Sequence, residues 1–504
     1  MNALTRLTRN AALSVLGATM LCAPLAAQTL RIGLQEDPDI LDPHEARTFV
    51  GRIVFQSLCE KLVDVDAQLK FVPRLATSWS FSDDGKTMTM KLRAGAKFHD
   101  GTAIDAAAIK ANIERAKTLQ TSRRKSELTS VERVDVVDPL TVAFRLKAPD
   151  APLLAQLSDR AGMMLSPASF GQPVGAKPIC SGPYKFVERV QNDRIVLEKF
   201  AGHWEQDRYA FERVVFRMIP DTTVRLANLR SGQLDLLERL APSDVKSAKA
   251  DASLAVASAV GLGYQGLTIN VGNGDMAKTP MGQDRRVREA LSLAIDREAI
   301  SQVVFEGLYP PAIQPFPPAS PYFDKDFPVP KRDLAKAKAL LAAAGHPKFS
   351  FELMVANNPV QQQLAQVIQA MAAEAGFDIK IRAMEFASQL KDQSAGKYQV
   401  SQIGWSGRVD PDGNIHQFVT TGGGINDAKY SHPKVDAELN AARQVYDPAK
   451  RKAHYDAAEV QLRTDLPLLY LYYQPWIWAM SSKLQGFTPS PDGMIRLGGV
   501  KLAK

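Results

Sequence analysis

Residues 75–101 read LATSWSFSDDGKTMTMKLRAGAKFHDG, and this stretch says more about the architecture than any other. Polar and apolar side chains alternate over Thr87–Arg93, as they do in a β-strand that is buried on one face. Asp83-Asp84-Gly85 stands just before this strand and has the composition of a hairpin turn. A second alternating segment, Val142–Leu146, follows an Asp-Pro turn. The N-terminal part of the chain is therefore predicted to contain paired strands.

The period of the hydrophobic pattern changes in the second half of the chain. Leu334–Ala344 and Gln361–Ala375 have helical spacing, and each is followed by a glycine, which favours a helix C-terminus. A strand pattern comes after each helix, at Phe349–Val355 and Asp378–Arg382. Helices and strands in alternation indicate α/β units. The predicted fold class is α/β.

The N-terminal segment 1–27 has the features of a secretory signal peptide. Arg6 and Arg9 form a positive n-region, Ala11–Leu21 is a short apolar segment, and Leu25-Ala26-Ala27 supplies small residues for cleavage. The apolar segment is too short for a transmembrane helix. This segment is therefore predicted to be removed on export to the periplasm. Lipidation of Cys22 is not favoured, because leucine stands where a small residue normally precedes a lipidated cysteine.

The 504-residue chain is 45% hydrophobic and 23% charged, which is ordinary for a globular protein and long enough for two or three domains. Its formal net charge is +8, but the basic residues are spread along the chain. This distribution does not indicate a nucleic-acid partner. Without Cys22, the two remaining cysteines are Cys59 and Cys180. An oxidising compartment favours a disulfide between them, with two separate buried thiols as the alternative.

Motifs for cofactors, metals and hydrolytic catalysis are incomplete. A G-x-G-x-x-G at 261–266 runs into a strand-like Leu267–Val271, whereas a dinucleotide site needs a helix there, so we interpret the glycines as a crossover between lobes. His44-Glu45 lacks the second histidine of a zinc-protease helix. Asp410 and Asp412 alternate like part of a calcium loop, without the bidentate glutamate. No G-x-S-x-G occurs. We expect no cofactor, no metal and no enzymatic activity.

Four segments together resemble one protein family, the family 5 extracellular solute-binding proteins. These are the dipeptide-, oligopeptide-, nickel- and opine-type receptors of ABC importers. The matching segments are 75–101, Cys180-Ser-Gly-Pro-Tyr-Lys-Phe186, Arg286-Val-Arg-Glu-Ala-Leu291 and Asp465-Leu-Pro-Leu-Leu-Tyr-Leu471. The resemblance extends over essentially the whole chain after the signal peptide.

The resemblance implies a two-lobed periplasmic-binding-protein fold of type II, in the large cluster with an extra N-terminal subdomain. The implied ranges are 28–60, 196–262 and 482–504 for the first lobe, 61–195 for the subdomain, and 263–481 for the second lobe. The chain would cross between lobes near Gly261–Gln265 and again near Ser481–Lys483. The lobes would close over a small-molecule or short-peptide ligand, and a membrane permease would recognise the closed, monomeric protein.

The resemblance also implies a ligand-contacting loop at Gly404–Asp412. Trp405 matches the family pattern, but Arg408 stands where peptide-binding relatives carry an aspartate for the α-ammonium of the peptide. A guanidinium would repel that ammonium and pair with a carboxylate or phosphate. This favours an acidic ligand such as an opine, a sugar-phosphate conjugate or a modified peptide, unless Asp410 takes over the amine. A salt bridge from Arg408 to Asp410 or Asp412 is the alternative.

Further candidates for ligand contact come from both lobes. Arg123 and Arg124 belong to a basic cluster at 122–127, which either opposes the ligand from the N-terminal lobe or is a solvated charge run. The remaining candidates are Thr48, Tyr264, Ser406 and Gly407. A conventional di- or oligopeptide receptor is the leading alternative function. An exported hydrolase and a periplasmic chaperone are rivals from other classes.

Overall fold

The computed structural model of the protein describes residues 28–503. The predicted signal peptide and Cys22 lie outside these residues. The strands are β1 (Thr29–Leu34), β2 (Val63–Val65), β3 (Phe71–Pro73), β4 (Ala76–Phe81), β5 (Thr87–Leu92), β6 (Val131–Asp138), β7 (Thr141–Leu146), β8 (Tyr184–Val190), β9 (Arg194–Lys199), β10 (Arg213–Met218), β11 (Leu236–Leu237), β12 (Leu254–Ala259), β13 (Tyr264–Ile269), β14 (Phe349–Ala356), β15 (Phe377–Met384), β16 (Val400–Trp405), β17 (Leu468–Tyr472), β18 (Trp476–Ser481), β19 (Leu484–Gln485) and β20 (Lys501–Leu502).

Fourteen α-helices connect these strands within the described residues. They are α1 (Phe49–Leu58), α2 (Ala106–Thr118), α3 (Leu153–Leu157), α4 (Thr222–Arg230), α5 (Val245–Lys249), α6 (Pro280–Gln283), α7 (Arg285–Ala294), α8 (Arg297–Phe305), α9 (Leu334–Ala343), α10 (Pro359–Ala373), α11 (Phe386–Ser394), α12 (Asp412–Val419), α13 (Pro433–Arg443) and α14 (Pro448–Asp465). Between residues 28 and 503, none of them has the length and apolar character that a membrane span requires.

Three larger sheets organise the chain and confirm the α/β class. A seven-stranded sheet has the order β12-β18-β11-β1-β10-β9-β8, and a five-stranded sheet has the order β15-β14-β16-β13-β17. The strand β1 runs parallel to β10 and β11, and β14 runs parallel to β15 and β16. The third sheet, β4-β5-β7-β6, has four strands and lies in the N-terminal subdomain. Each lobe is therefore built on its own sheet.

The four-stranded sheet contains the segment that opened the sequence analysis. β4 and β5 form an antiparallel hairpin, as predicted, and Gly85 in the turn has a φ of +66°. Met88 and Met90 are fully buried on the inner face of β5. Phe98 belongs to the same core cluster, so the matching family residues in this stretch are core and turn residues.

The predicted α/β units of the second lobe are confirmed. α9 and α10 begin at capping residues, Asp333 and Asn358, whose side chains accept backbone N–H bonds from the first turn. Gly345 and Gly376 follow the two helices with φ of +82° and +107°, a backbone conformation that favours glycine. The strands that follow, β14 and β15, pair in parallel.

The chain passes between the two large sheets at two adjacent places. The first crossing lies between β12 and β13, at residues 260–263, close to the predicted position. The second was predicted near Ser481–Lys483 and lies instead between β17 and β18, at residues 473–475. The reason is that β18 pairs with β11 and β12 of the first sheet. We therefore propose that the second lobe ends near residue 472, and that β8, which also belongs to the first sheet, is part of the first lobe.

A disulfide joins Cys59 to Cys180 in the first lobe. Cys59 is the residue after α1, and Cys180 lies four residues before β8. Their Cα atoms are 4.8 Å apart, and both residues are buried. The bond closes a loop with a sequence separation of 121 residues, which contains the whole four-stranded sheet.

Removing this cross-link should lower the stability of the folded protein. For a loop of this length the chain-entropy model gives a stabilisation of about 4–5 kcal/mol. The Cys59→Ser/Cys180→Ser variant should therefore lose about 4 kcal/mol in free energy of unfolding, measured by urea denaturation with circular dichroism. A matched measurement on the wild type with reductant should show a similar loss. A loss below about 1 kcal/mol would contradict this prediction.

Candidate ligand-binding site

A large cavity lies between the two lobes, at the carboxyl ends of parallel strands from both sheets. Its empty volume is about 1540 Å³, including the open mouth. Ligand sites of α/β proteins typically occupy this position, because the loops after parallel strands meet there. The polar lining residues include Gln35, Glu36, Arg47, Thr48, Arg124, Arg160, Thr222, Arg239, Tyr264, Asn358, Gln361, Gln402, Trp405, Ser406, Gln417, Asp427 and Tyr470.

Thr48 and its neighbour Arg47 bring the start of α1 to the cavity. The Thr48 hydroxyl caps the helix by accepting the N–H of Gly51 at 3.3 Å, so its role in the fold is already defined. Arg47 reaches across the cleft, and its Nη2 lies 2.7 Å from Oδ2 of Asp427 in the second lobe. The Asp427 carboxylate also accepts a hydrogen bond from Gln393. This carboxylate is therefore already paired.

The cavity wall carries more positive than negative side chains. The guanidinium groups are those of Arg47, Arg124, Arg160 and Arg239, and the carboxylates are those of Glu36 and Asp427. Arg124 is paired with Glu127, and Arg239 lies 3.6 Å from Glu36 and 3.5 Å from Glu238. Three of the four guanidinium groups, those of Arg47, Arg124 and Arg239, are thus paired with carboxylates.

Arg160 is the least neutralised of these basic groups. It is 1% exposed, its Nη1 donates to the carbonyl of Ala46 at 2.6 Å, and its Nε has no hydrogen-bond partner among the described residues. The nearest carboxylate oxygen, Asp159 Oδ1, is 3.8 Å away and is shared with other cations. Burial, followed by repulsion from Arg124, lowers the pKa of Arg160 to about 9. A ligand carboxylate would relieve both effects.

Glu36 is a carboxyl group of the cavity whose pKa lies near neutral pH, so that its charge can change there. It is the second residue after β1, next to Gln35. Burial raises the pKa of Glu36 to about 7, with Arg239 opposing the rise and Glu238 adding to it. A ligand ammonium placed beside Glu36 would stabilise its ionised form.

Aromatic rings form the wall on the side of the second lobe. Tyr264 and Trp405 face each other in the register of β13 and β16. The Tyr264 ring meets Tyr470 edge-on at a centroid distance of 4.7 Å, and Trp405 meets Phe418 at 4.9 Å. The Trp405 Nε1 donates to Asn414 at 3.0 Å, which fixes the orientation of the indole. These rings offer rigid apolar surface for a ligand to pack on.

The structure directs Arg408 away from this cavity, which corrects the role expected for it. Its Nε lies 2.6 Å from Oδ2 of Asp159 in the N-terminal half of the chain, and its Nη1 donates to the carbonyl of Gly407 at 2.8 Å. The guanidinium stacks on Trp405, 4.1 Å from the ring centroid. It thus pairs with neither Asp410 nor Asp412, because Asp159 is nearer. Arg408 instead lines a smaller cavity of about 380 Å³.

Asp410 is also unavailable as an amine-binding group. Arg451 binds both of its oxygens, at 2.7 and 2.8 Å. Asp412 is held in the same way by Arg443. Across residues 28–503, no group of three or more His, Cys, Asp or Glu side chains is arranged to hold a metal ion. Both carboxylates of the supposed calcium loop therefore hold the loop in place through arginines of α13 and α14.

The remaining predicted site residues divide into two groups. Thr48, Tyr264, Trp405, Ser406 and Arg124 lie in the wall of the large cavity, whereas Gly407 and Arg123 are outside it. The cluster at 122–127 is not a fully solvated charge run, because Ser122, Arg124 and Glu127 are buried. Gly407 adopts a φ of +88° and shapes the loop.

Sequence reasoning missed Arg160, Arg239, Glu36 and Gln402. Two of these residues, Arg160 and Gln402, could have been recognised from their neighbours in the sequence. Asp159-Arg160 interrupts a run of apolar residues, and Gln402 is a buried polar side chain in the middle of β16. Its amide donates to Oε1 of Gln361 at 2.7 Å. A polar residue inside a buried segment is a sign of a hydrogen-bonded or ligand-facing position.

Comparison with known proteins agrees with a ligand cavity between two lobes. The family model described as bacterial extracellular solute-binding proteins, family 5 Middle, matches residues 70–427. This chain belongs to the family 5 extracellular solute-binding proteins. It is the substrate-binding component of an ABC importer, a periplasmic protein that captures a small polar ligand and has a membrane permease as its partner. The family is one of solute-binding proteins and not of enzymes.

Individual relatives cover almost the whole chain. The glutathione-binding protein GsiB of Pectobacterium atrosepticum is 31% identical over 493 residues, which is 94% of each chain. The periplasmic binding protein DppA of Helicobacter pylori, in complex with the peptide STSA, is 25% identical with a TM-score of 0.87, covering 94% of this chain and 98% of its own. AgaA of A. tumefaciens R10, in complex with agropinic acid, is 26% identical with a TM-score of 0.85, covering 94% and 99%. These similarities confirm the two-lobed fold.

The contact between Gly263 and the Trp405 loop predicts a strong effect of one added methyl group. A Cβ at Gly263 would lie 1.8 Å from the carbonyl oxygen of Trp405 and 2.6 Å from the backbone nitrogen of Gly407. Gly263→Ala should therefore lose about 1–3 kcal/mol of stability by thermal or urea unfolding, as overpacked sites do. Gly171→Ala is the control, because nothing lies within 4 Å of its added Cβ. Equal stability of the two variants would show that the loop moves freely away from the crossing.

Proposed function

We propose that this family 5 protein binds a small, anionic, peptide-like ligand that also carries an ammonium group, and that glutathione is the first compound to test. The ligand enters the cleft between the lobes and leaves it unchanged for transport by the permease. The binding is not followed by chemistry. The names of the most similar relatives support a glutathione-like ligand, and the charges of the cavity support an anionic one.

The observation that carries this proposal is the buried guanidinium of Arg160. A buried arginine that lacks a carboxylate of its own is costly for the empty protein. A ligand carboxylate would supply the missing acceptor, and the nearby Arg124 would add to the attraction. Glu36 then provides the negative group for the ligand ammonium, because its arginine partner, Arg239, is 3.6 Å away, whereas Arg47 binds Asp427 at 2.7 Å. The cavity therefore has partners for both kinds of ligand charge.

A conventional di- or oligopeptide receptor remains the second candidate. The DppA of H. pylori was found with a peptide, and glutamine side chains along the cavity, at Gln361, Gln402 and Gln417, suit the amide groups of a peptide backbone. Such a receptor would bind a neutral dipeptide such as Met-Leu more tightly than glutathione. Isothermal titration calorimetry with both compounds separates the two candidates.

Substituting Arg160 should weaken an anionic ligand selectively. Arg160→Gln is expected to raise the Kd for glutathione by about 10- to 150-fold, which corresponds to about 1.5–3 kcal/mol for a charge-assisted hydrogen bond. The diethyl ester of glutathione, which keeps the ammonium but has no free carboxylate, should lose much less affinity. Arg31→Gln is the matched control, because Arg31 is half-exposed and pairs with Asp235 away from the cavity. Equal losses for glutathione and the ester would remove Arg160 from the recognition of charge.

The pH dependence of binding should report on Glu36. Its pKa of about 7 in the free protein means that acid protonates the group and removes the partner of the ligand ammonium. Affinity for glutathione should therefore fall as the pH decreases from 7.5 to 5.5, by up to about tenfold for each unit below the pKa. Glu36→Gln should flatten this profile.

The Glu36→Gln variant also separates Glu36 from a second titrating group. Burial raises the pKa of Glu459, which lies behind Tyr264, to about 8. A profile that keeps its full slope in Glu36→Gln would assign the pH dependence to another group, such as Glu459.

A further inference from the structure

One buried carboxylate connects the two lobes outside the ligand cavity. Asp159 lies in the N-terminal half, just before the short 3-10 helix Arg160–Gly162. Its oxygens receive Arg52 of α1 at 2.9 Å and Arg408 of the second lobe at 2.6 Å. The side chains of Arg52, Asp159 and Arg408 are only 6%, 8% and 9% exposed. This carboxylate therefore holds one cation from each lobe, and all three side chains are buried.

Further contacts place the same loop against the N-terminal half. Arg52 also donates to the hydroxyl of Ser406, at 3.3 Å, so the loop is bound on both sides of Gly407. The backbone N–H of Ala151 donates to the carbonyl of Arg443, at 2.8 Å, which adds a main-chain bond between the subdomain and the second lobe. None of these contacts uses a ligand atom.

Removing either Arg408 or Asp159 would destabilise the closed arrangement of the lobes relative to the open one. In the closed protein, a lone Arg408 would face Arg52 across the interface without a counter-ion, and a lone Asp159 would lose its partner from the second lobe. A buried charge that has lost its partner is strongly unfavourable. In an open protein, water would solvate the same groups. The Arg408–Asp159 pair therefore stabilises the closed lobes whatever the charge of the ligand.

We propose that Asp159, Arg52 and Arg408 form a latch that holds the two lobes closed independently of the ligand. Arg408 is a positioning residue: it carries the loop that begins at Trp405 to the N-terminal half and does not touch the ligand. The latch makes a closed population available before binding, and the ligand adds to it. This inference goes beyond the proposed ligand and does not depend on its identity.

Small-angle X-ray scattering of ligand-free protein, unfolded in guanidinium and refolded to remove any bound compound, tests the latch. The wild type should have a smaller mean radius of gyration than the latch variants, because the latch maintains a closed population. Asp159→Asn and Arg408→Gln should each increase that radius, and the double variant should lie closer to the wild type than the sum of the two changes. Circular dichroism establishes that each variant is folded, and either single variant suffices if the other does not fold.

Arg451→Gln is the matched control, since it breaks a buried ion pair with Asp410 that lies wholly inside the second lobe. It should leave the radius of gyration unchanged. Folded Asp159→Asn and Arg408→Gln proteins with the same radius of gyration as the wild type would overturn the proposal.

Ligand binding provides an independent readout. Arg408→Gln should weaken glutathione and its diethyl ester, which has no free carboxylate, by the same factor, because it acts through closure. A selective loss for glutathione itself would make Arg408 a contact of a ligand carboxylate and contradict the latch. If neither compound binds the wild type, the proposed ligand is wrong, and the scattering experiment still decides about the latch.

Discussion

The two adjacent crossings between the sheets are the constraint on which the rest of the structure depends. β12 and β18 pair in the first sheet, and β13 and β17 pair in the second, so the outgoing and returning strands are neighbours in both lobes. The crossings also touch each other, since a Cβ on Gly261 would lie 2.2 Å from the carbonyl oxygen of Gln474. Two short segments side by side restrict the relative motion of the lobes to bending about this place. The carboxyl ends of the parallel strands consequently face one cleft.

The same constraint explains where the binding loop lies. Because β13 starts directly after the first crossing, Tyr264 is fixed opposite Trp405 at the end of β16. The backbone of Gly263 then packs on the residues that follow Trp405, and side chains at Gly263 or Gly407 would not fit. The crossing and the ligand-facing loop are thus one packed unit. Trp405 in the cavity wall and the first crossing are therefore joined by direct backbone contact.

The fold could be predicted from the sequence because its signals are local. The alternation at Thr87–Arg93, the turn at Gly85 and the glycines after α9 and α10 each depend on a few neighbouring residues. The second crossing was misplaced because β18 carries no pattern that says which sheet it joins. Its partners, β11 and β12, precede the whole of the second lobe in the chain. Such pairing depends on topology and leaves no trace in a short segment.

The candidate site was less predictable for the same reason. Trp405 was proposed from the family pattern and Tyr264 as an aromatic residue at the crossing, but Arg160, Arg239 and Glu36 reach the cavity from three separate elements. Arg408 was identified as an unusual residue, and its partner was not, since Asp159 lies in the other half of the chain. A sequence can show that a charged residue stands where the family pattern has a different residue. Which opposite charge neutralises it depends on what the closed lobes bring together.

The roles proposed for Arg408 and Arg160 differ by the groups that surround each guanidinium. Arg408 has a carboxylate at 2.6 Å, a carbonyl at 2.8 Å and an aromatic face, so a ligand carboxylate would have to compete with Asp159 for it. Arg160 has one strong neutral acceptor and its nearest carboxylate oxygen at 3.8 Å, so a ligand would add to its hydrogen bonding without displacing a close ion pair. Both guanidinium groups keep a buried nitrogen without a hydrogen-bond partner among the described residues, but only Arg160 of the two lines the large cavity, where a ligand would reach it. Recognition is therefore expected where a buried guanidinium faces the cavity without a close carboxylate, and closure where one carboxylate joins cations from both lobes.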